Sequence, residues 1–478
     1  MMGFDWNWQL DGWIVAAGML CAVASSLLGC FLLLRRMSLL GDAISHAVLP
    51  GLAGAFLISG SRSSVWMFVG AVIVGVLTAL LSDFIHHRGQ VDEGASMGVV
   101  FTTLFASGLL MIVVAADRVD LDPGCVLYGA IEQTPLDKWE VPGLPFAVPR
   151  VVVVLSIVTL VNALFVGLFF KELKISTFDA ALATASGFSA NLIHYVLMTL
   201  VAITAVACFE SVGNILVVAM LIVPPATAYL LTNRLRTMVI LSCLIAAVSA
   251  WGGHVMAIVV PSWFGFRSTT TAGMMSVATG VAFMVAFLFA PQQGFLPRWV
   301  RQQWLRWTIL ADDVLTLLYR IEESAREVGG HPATAPGSAF AVTAAPLAQT
   351  VPWVAETLLT NRLAVKWAMR YLTWRGRVRP VSAKDGGADS GPAEGGGEAR
   401  LPVLTEVGRR EAETIVRSHR LWEQYLVTKV DVAEERLHAK ADRLEHFTDR
   451  EMQDQLDEQT DSPSIDPHGR PIPNPDQP

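Results

Sequence analysis

Long apolar runs separated by short polar stretches dominate the first 290 residues. A run of about 18 or more apolar residues can cross a bilayer as a helix. Nine such runs occur, at about 11–34, 42–60, 64–85, 95–116, 147–170, 189–208, 211–232, 237–260 and 271–290. The 189–232 region can also be divided differently. The pattern therefore predicts an all-α polytopic membrane protein with eight or nine transmembrane helices.

Basic residues mark alternate ends of these runs. The clusters are Arg35 with Arg36, His87 with Arg88, Lys171 with Lys174, Arg234 with Arg236, and Arg298 with Arg301. Because basic residues favour the cytoplasmic side, the nine runs predict an external N-terminus and a cytoplasmic location for everything after Pro291. No basic region of a cleavable signal peptide precedes residues 13–34, so this run is interpreted as a retained span.

The pattern changes near residue 297, and four segments are expected. They are a transmembrane domain at 1–296, an interfacial linker at 297–310, a helical segment with glycine- and proline-rich insertions at 311–400 and a small helical domain with a disordered tail at 401–478. The linker is basic and rich in tryptophan, as suits the inner membrane interface. Glycine- and proline-rich stretches at 329–350 and 382–399 indicate loops.

Composition and charge support this division. The chain has 478 residues, of which 53% are hydrophobic and 16% charged, and its mean hydropathy is +0.47. Residues 401–478 contain 10 Lys and Arg against 17 Asp and Glu, an excess of acids that equals the net charge of −7. The five cysteines show no CxxC spacing, so neither a disulfide framework nor a thiolate metal site is expected.

Two ionisable residues, Asp42 and His46, fall inside the second apolar run. A spacing of four places them on one helix face, and intramembrane ionisable groups are costly, about 2.5–3.5 kcal/mol for an aspartate. Carboxylate and imidazole together suit Mn, Fe or Zn. Alternatively, Asp42 is a first-turn acid favoured by the helix dipole, and His46 bonds a neighbouring helix.

Other polar residues in the apolar runs are weaker candidates for a transport path. His254 follows two small residues, Gly252 and Gly253, which permit close helix packing. Glu210 lies between two runs, where a position at the outer membrane surface is an equal alternative. His194 lies near the start of a span, where a histidine at the headgroup level is the default interpretation.

Motifs along residues 11–291 resemble the permeases of bacterial ABC importers for manganese, zinc and iron. They include Arg35-Arg-Met-Ser-Leu-Leu-Gly-Asp-Ala-Ile-Ser-His-Ala-Val-Leu-Pro-Gly, Glu93-Gly-Ala-Ser-Met-Gly-Val, Leu121-Asp-Pro-Gly-Cys-Val-Leu-Tyr-Gly and Gly213-Asn-Ile-Leu-Val-Val-Ala-Met-Leu-Ile-Val-Pro-Pro. The resemblance implies that Asp42 and His46 face the translocation path of a permease homodimer.

The resemblance also implies partners. Residues 177–186 resemble the helix that docks on the ATPase, with Phe178, Asp179 and Gly187 at the dock. The sequence contains no G-x-x-x-x-G-K-[ST] phosphate loop, so the chain is not expected to be an enzyme, and a separate cytoplasmic ATPase must supply the energy. An extracytoplasmic metal-binding protein would deliver the ion.

A basic helix-turn-helix pattern is predicted over residues 351–380. Arg362, Lys366 and Arg370 lie on it, and this composition fits either DNA or the anionic inner leaflet of the membrane. Residues 311–400 also resemble the winged helix of metal-dependent repressors, and the glycine-rich replacement of the wing that this resemblance implies argues against DNA.

Two stripes of metal-ligand residues follow in the C-terminal domain. His419 and Glu423 are four residues apart, and His438, Asp442, Glu445 and His446 follow at i, i+4, i+7 and i+8. Oxygen and nitrogen ligands of this kind suit Mn²⁺ or Fe²⁺, although a solvated polar face gives the same pattern.

This part resembles the metal-binding and dimerisation domain of manganese- and iron-dependent repressors of the diphtheria-toxin-repressor type. Ser418-His-Arg-Leu-Trp-Glu-Gln-Tyr-Leu, Leu437-His-Ala-Lys-Ala-Asp-Arg-Leu-Glu-His and Asp466-Pro-His-Gly-Arg-Pro-Ile-Pro carry the likeness. It implies a primary site at Asp442, Glu445 and His446, an ancillary site at His419, Glu423 and His438, and a ligand from Asp313.

The leading hypothesis is therefore a permease subunit of the bacterial plasma membrane. It would import Mn²⁺, with Fe²⁺ or Zn²⁺ as alternatives, and would carry a cytosolic metal-sensing domain that regulates transport. The alternative is a membrane-tethered, metal-dependent transcriptional regulator whose spans serve as an anchor.

Overall fold

The computed structural model describes residues 6–59, 64–116, 131–139, 147–265, 269–327, 351, 354–379, 403–430 and 434–473. The predicted loops at 329–350 and 382–399, the Leu121 motif and the end of the tail lie outside these ranges. The chain forms two compact units, residues 1–298 and residues 299–478. Each unit is described separately below.

The first unit is almost entirely helical. Its helices are α1 (Asp11–Leu34), α2 (Leu40–Ala47), α3 (Leu49–Ser59), α4 (Ser64–Gly89), α5 (Glu93–Ala116), α6 (Arg150–Leu168), α7 (Phe170–Phe178), α8 (Ala180–Ala185), α9 (Ala190–Val212), α10 (Asn214–Leu231), α11 (Leu235–Trp263) and α12 (Thr271–Phe289). A short 3₁₀ helix (Ile131–Gln133) and an antiparallel strand pair, β1 (Lys138–Trp139) and β2 (Val148–Pro149), complete its described part.

Nine segments of the described chain are long and apolar enough to cross a membrane. They are α1, α4, α5, α6, α9, α10, α11, α12 and the stretch Leu40–Ser59, which comprises α2 and α3. The sequence prediction of a polytopic helical protein is confirmed. Since α9 ends at Val212 and α10 begins at Asn214, the structure also decides how the 189–232 region divides.

Two breaks in these spans have local causes. The second span is interrupted at Val48, because Pro50 has no N–H to donate to the carbonyl of His46, four residues earlier. The amide of Gly51 bonds the Val48 carbonyl at 2.9 Å instead. Between α9 and α10, Gly213 adopts a φ of 94°, a conformation that favours glycine.

Helix α1 packs in the centre of the first unit, against α6, α9, α10 and α11. Gly29 permits its close approach to α10, because an added Cβ would overlap the carbonyl oxygen of Leu221 and lie 3.0 Å from Cγ of Pro225. Pro225 cannot donate a hydrogen bond to that carbonyl. Pro224 and Pro225 lie within a continuous helix, and α1 packs against the carbonyl of Leu221 that Pro225 leaves without a helical donor.

The second unit has a helical core and one small sheet. Its elements are α13 (Phe295–Glu327, which begins in the first unit), α14 (Arg362–Trp374), β3 (Val378–Arg379), β4 (Val403–Leu404), α15 (Glu406–Thr428), α16 (Glu434–Leu444), a 3₁₀ helix (Glu445–Phe447) and α17 (Arg450–Gln459). The stretch predicted as an interfacial linker, 297–310, and the beginning of the segment predicted at 311–400 form one helix, α13.

The segment predicted to be winged-helix-like has a shared apolar core. Val314, Leu315 and Leu318 of α13 pack with Val365 and Leu372 of α14. Strands β3 and β4 pair antiparallel, and a further helical turn lies at residues 354–357. The winged-helix assignment itself stays a prediction.

The arrangement at Gly29 gives a test of the packing around α1. We expect Gly29→Ala to lower the stability of the protein by about 1–3 kcal/mol, because the new Cβ must displace backbone rather than a flexible side chain. Thermal unfolding in detergent micelles would measure the loss. The control is Gly98→Ala in α5, where an added Cβ meets nothing within 4 Å and helix propensity favours alanine. Equal stability of the two variants would contradict this packing.

Candidate metal sites

The candidate transport pair lies on helix α2. Nε2 of His46 is 3.5 Å from Oδ1 of Asp42, and their side chains are 33% and 42% exposed. Both residues precede the break at Val48, so the pair lies beside an interrupted helix. The expected one-turn stacking of these side chains is present.

Aromatic and aliphatic side chains surround this pair. The imidazole of His46 lies near the rings of Phe101 and Phe105 on α5, at centroid distances of 5.9 and 6.1 Å. On the α10 side, Gly41 leaves room for the side chain of Leu221, which an added Cβ would overlap. The pair is therefore set in an apolar surrounding while retaining accessible oxygen and nitrogen atoms.

His254 has a different environment. Its side chain is 3% exposed; Nε2 lies 3.2 Å from Oδ1 of Asp11, and Nδ1 lies 3.5 Å from the hydroxyl of Thr271. The ring of Trp6 packs edge-on against the imidazole at 5.6 Å. These contacts join α1, α11 and α12, which is a structural role, and they occupy both ring nitrogens.

Glu210, the other weak candidate, lies in the last turn of α9 and is exposed. The structure does not place it with Asp42 and His46 in a common metal-ligand group among the described residues. Its assignment to the path stays a prediction.

The predicted ATPase-docking residues lie around α8. Phe178, which ends α7, is 65% exposed. The carboxylate of Asp179 caps α8 by accepting a hydrogen bond from the amide of Leu182 at 2.9 Å. Gly187 follows that helix with a φ of 89°, as a C-terminal glycine often does.

A polar network that sequence reasoning missed connects this segment to three spans. Arg35 donates to the hydroxyls of Ser176 and Thr177 at 2.8 and 3.2 Å, and to Nδ1 of His194 at 3.0 Å. Nε2 of His194 then lies 3.3 Å from Oδ1 of Asp83 on α4. The donation from Arg35 requires a lone pair on Nδ1, so the proton of a neutral imidazole is on Nε2 and faces Asp83. This network thereby holds His194 in one tautomer.

The second candidate site is in the C-terminal unit, around His419. Its imidazole is 2% exposed and has polar contacts at both ring nitrogens. Nε2 lies 3.1 Å from Oε1 of Glu423 and 2.9 Å from Nδ1 of His438. Nδ1 lies 2.6 Å from Oε2 of Glu445 and 3.3 Å from Oδ1 of Asp442. Helix α15 therefore supplies the central histidine and Glu423, and the α16 region supplies His438, Asp442 and Glu445.

The spacing in the first half of this cluster fits a bound ion. Nδ1 of His438 and Oε1 of Glu423 are 2.8 Å apart, so the three atoms, with Nε2 of His419, form a triangle with sides of 2.8, 2.9 and 3.1 Å. Ligands at 2.0–2.2 Å from a metal and at right angles to each other lie about 3 Å apart. One divalent ion can therefore replace the protons of this triangle.

A second half of the cluster is centred on His446. Its Nε2 lies 3.1 Å from Oδ1 of Asp313 on α13 and 3.4 Å from Oε1 of Glu445. Glu445 thus faces His446 with one oxygen and His419 with the other. A cavity of about 730 Å³ borders Asp313, Asp442 and this pair. The structure brings together all seven ligand residues predicted for the sensor, including the one from the distant α13.

Two residues near the cluster were not expected from the sequence. Oδ2 of Asp312 lies 3.9 Å from Nδ1 of His446, and burial raises the pKa of this carboxyl to about 6. Nε2 of His468, in the C-terminal segment, lies 3.7 Å from Oε1 of Glu423. The acid beside Asp313 and the histidine within the Asp466-Pro-His motif were the available signals.

The protonation of the cluster follows from its charges. Burial alone would lower the pKa of His419, but the carboxylates of Glu423 and Glu445 outweigh it and raise this pKa to about 9. In return the histidines hold the pKa of Glu423 well below its usual range, against the effect of burial. Burial alone would also lower the pKa of His446, but the carboxylates of Asp313 and Glu445 outweigh this effect and raise it. Without metal, the site therefore holds protons where an ion would bind.

Comparison with protein families matches both halves of the chain. Residues 10–290 match the model of the ABC 3 transport family. Residues 405–474 match the model of the iron dependent repressor, metal binding and dimerisation domain. Both resemblances inferred from the sequence motifs are confirmed.

Individual relatives agree with the first match. The manganese transport system membrane protein MntD of Bacillus subtilis (strain 168) is 43% identical over 293 residues, which are 61% of this chain and 96% of that protein. The zinc transport system membrane protein TroD of Treponema pallidum (strain Nichols) is 38% identical over 315 residues, 65% of this chain and 83% of that protein. The solved structure of PsaBC from Streptococcus pneumoniae in complex with Fab is 31% identical, with a TM-score of 0.48, over 60% of this chain and 93% of that one.

The raised pKa of His419 predicts a pH dependence of metal binding. A metal needs the neutral imidazole, and the folded protein keeps the proton up to about pH 9. The apparent affinity for Mn²⁺ should therefore rise about tenfold per pH unit from about pH 7 to about pH 8.5. Without metal, the stability of the folded protein follows the opposite trend with pH. Protonated His419 stabilises the fold fully below the ordinary histidine pKa of about 6.5, and this stabilisation is lost as pH rises through 9.

This dependence can be measured by titrating the full-length protein with Mn²⁺ at several pH values. A His46→Asn background restricts the measurement to the C-terminal ligands. An affinity that levels off above about pH 7, as for an ordinary histidine, would contradict the predicted protonation.

Proposed function

Since this chain belongs to the ABC 3 transport family, we propose that it is the membrane permease subunit of an ATP-binding-cassette importer for divalent transition-metal ions, with manganese preferred. It is a multi-pass protein of the plasma membrane and a transporter subunit, not an enzyme. Manganese and zinc appear in the names of its relatives. Carboxylate with imidazole suits Mn²⁺, Fe²⁺ and Zn²⁺ alike, so the preference for manganese rests on the relatives.

The observation that carries the proposal is the open pair on α2. Asp11 with His254, and Asp83 with His194, are bonded between different helices and hold those helices together. Asp42 and His46 are on one helix, are 3.5 Å apart, and both retain exposed atoms. Ionisable groups within a membrane are expensive, so a pair whose charged groups form no ion pair with another helix in the described part of the chain requires another use, and a passing cation provides it.

A second copy of the chain would complete this half-site. One Asp42 and one His46 give two donors, whereas the transition-metal sites of proteins commonly have four or more. Two permeases related by a twofold axis would bring four donors to that axis. We therefore infer a homodimer around the path.

Two further partners follow from the chemistry of import. A cytoplasmic ATPase would dock on α7 and α8, where Phe178 is exposed and Asp179 fixes the start of α8. Arg35 links this segment to α1, α4 and α9 through Ser176 and His194, so a displacement of the dock would reach the ends of three spans. An extracytoplasmic metal-binding protein would deliver the ion at the opposite face.

The C-terminal unit is an appended metal-sensing domain, which we place in the cytoplasm. Its donors, three imidazoles and four carboxylates with no thiolate, suit Mn²⁺ or Fe²⁺. An ion bound there would replace the protons held by the histidines and would connect α13, α15 and α16 through their side chains. We infer that this binding reports cytoplasmic metal and reduces transport, which requires the filled site to favour one transport state over the other.

Uptake by the assembled transporter tests the path. We expect Asp42→Asn and His46→Asn each to lower the initial rate of manganese uptake at least tenfold, because each replaces a strong donor in both half-sites with a neutral carboxamide that binds metal weakly. Uptake of manganese, iron and zinc would be compared in cells that lack other importers and contain the partner ATPase and binding protein.

His254→Asn provides the matched control. This histidine is buried and joins three helices, so its substitution should lower the thermal stability of the purified protein, whereas His46→Asn should leave stability unchanged. Normal uptake of all three metals by the double variant of Asp42 and His46 would end the proposal.

Regulation is tested by two exposed ligands. His438 and Asp442 are 55% and 52% exposed, so His438→Ala with Asp442→Ala should preserve the fold. In metal-loaded cells we expect the wild-type transporter to slow and this variant to continue importing. Asp454→Ala, which removes an exposed acid from α17, should behave as wild type. If internal manganese slowed all three proteins equally, the C-terminal unit would not regulate transport.

A further inference from the structure

The transport function leaves one surface of the C-terminal unit unused, a band of exposed tryptophans and basic residues on α13 and α14. We call this surface the aromatic–basic face. Its apolar members are Trp299, Trp304, Trp307, Leu363, Trp367 and Trp374, which are between 43% and 80% exposed. Large apolar side chains gathered on one surface commonly mark a site of interaction with another molecule or with a membrane.

On helix α14, the exposed apolar residues and the buried apolar residues lie on opposite sides. Val365, Ala368 and Leu372 are at most 1% exposed and pack into the core. On the other side, Leu363 and Trp367 are 64% and 60% exposed. The helix therefore has an apolar surface on both sides, and its own unit covers only one of them.

The two helices share one groove. Trp304, Trp307 and Thr308 of α13, with Trp367, Ala368 and Tyr371 of α14, enclose a cavity of about 290 Å³. A groove walled by three indoles and a phenol can accept an apolar chain at the depth where these side chains prefer the membrane interface.

The charge of this face has one sign. Residues 299–310 contain Arg301 and Arg306, residues 362–374 contain Arg362, Lys366 and Arg370, and neither stretch contains an acid. The guanidinium of Arg370 lies over the Trp367 ring at 5.9 Å, and that of Arg375 lies over Tyr371 at 5.4 Å. Such cation–π contacts place positive charge directly beside the apolar groove.

We propose that the aromatic–basic face binds anionic phospholipid of the inner leaflet, with acyl chains at the indoles and headgroups at the arginines. Tryptophan and leucine beside lysine and arginine are the composition of interfacial helices, and each basic residue is attracted to an anionic surface. DNA would satisfy the arginines but would leave Trp367 and Leu363 unburied, because base edges are read mainly by polar side chains.

The length of the chain permits this contact. The ninth candidate span ends at Phe289, and α13 begins at Phe295. Five intervening residues reach roughly 20 Å when fully extended, so the first turns of α13 cannot lie far from the membrane surface. The inference depends on membrane insertion but not on which metal is carried.

Quenching of Trp367 by brominated lipids tests the proposal in the full-length protein. The chain would be reconstituted in nanodiscs of phosphatidylcholine alone or with phosphatidylglycerol, each with and without brominated acyl chains. Subtracting the emission of a Trp367→Phe variant from that of the wild type isolates this residue. We expect a several-fold loss of its emission in brominated discs that contain phosphatidylglycerol. We expect the combined variant Arg362→Gln, Lys366→Gln and Arg370→Gln to remove the dependence on the anionic lipid.

Trp422 serves as the matched control, because it is partly buried and donates a hydrogen bond to Thr448 at 2.8 Å. Its emission, isolated with Trp422→Phe, should not respond to brominated lipid. Equal emission of Trp367 in brominated and ordinary discs would overturn the proposal. It would also fail if duplex DNA, and not lipid, changed the Trp367 emission, or if only a second copy of the chain in the same disc shielded this residue.

Discussion

The organisation of the membrane unit follows from the cost of placing ionisable groups among apolar helices. Two pairs of such groups join helices: Asp11 bonds His254 across α1 and α11, and Asp83 bonds His194 across α4 and α9. Asp42 and His46 differ, since they belong to one helix and stay accessible. Their exposure, beside the break caused by Pro50, distinguishes a pair suited to a moving ion from pairs that stabilise the fold.

The C-terminal unit uses similar residue types for a different purpose. His419 is almost inaccessible and is contacted on both ring nitrogens, while Glu445 faces a histidine with each of its oxygens. Because Glu445 contacts both halves of the cluster, filling one half changes the charge felt by the other. Many donors around a buried histidine favour retention of an ion, whereas two accessible donors per chain permit its release. The same donor chemistry can therefore serve sensing in one unit and passage in the other.

The aromatic–basic face is the surface through which we propose that the C-terminal unit binds lipid. The α14 helix has the basic residues expected of a nucleic-acid contact, but Trp367 and Leu363 are also exposed on it. Charge alone does not separate DNA from an anionic membrane, since both attract arginine and lysine. The apolar side chains make the distinction, because only the membrane offers a medium in which they can be buried.

The lengths of the apolar runs limited the number of spans to eight or nine, because a bilayer requires long apolar segments whatever their packing; the helix ends at Val212 and Asn214 then decided how residues 189–232 divide. The sequence also determined that Asp42 lies one turn from His46 and that the C-terminal ligands form stripes, since helical spacing is local. The tertiary structure decided the rest. Asp11 and His254 are 243 residues apart in sequence, and Asp312 meets His446 only through the packing of α13 on the cluster. Helix periodicity sets which face a residue occupies, but the neighbour it meets depends on how distant helices pack.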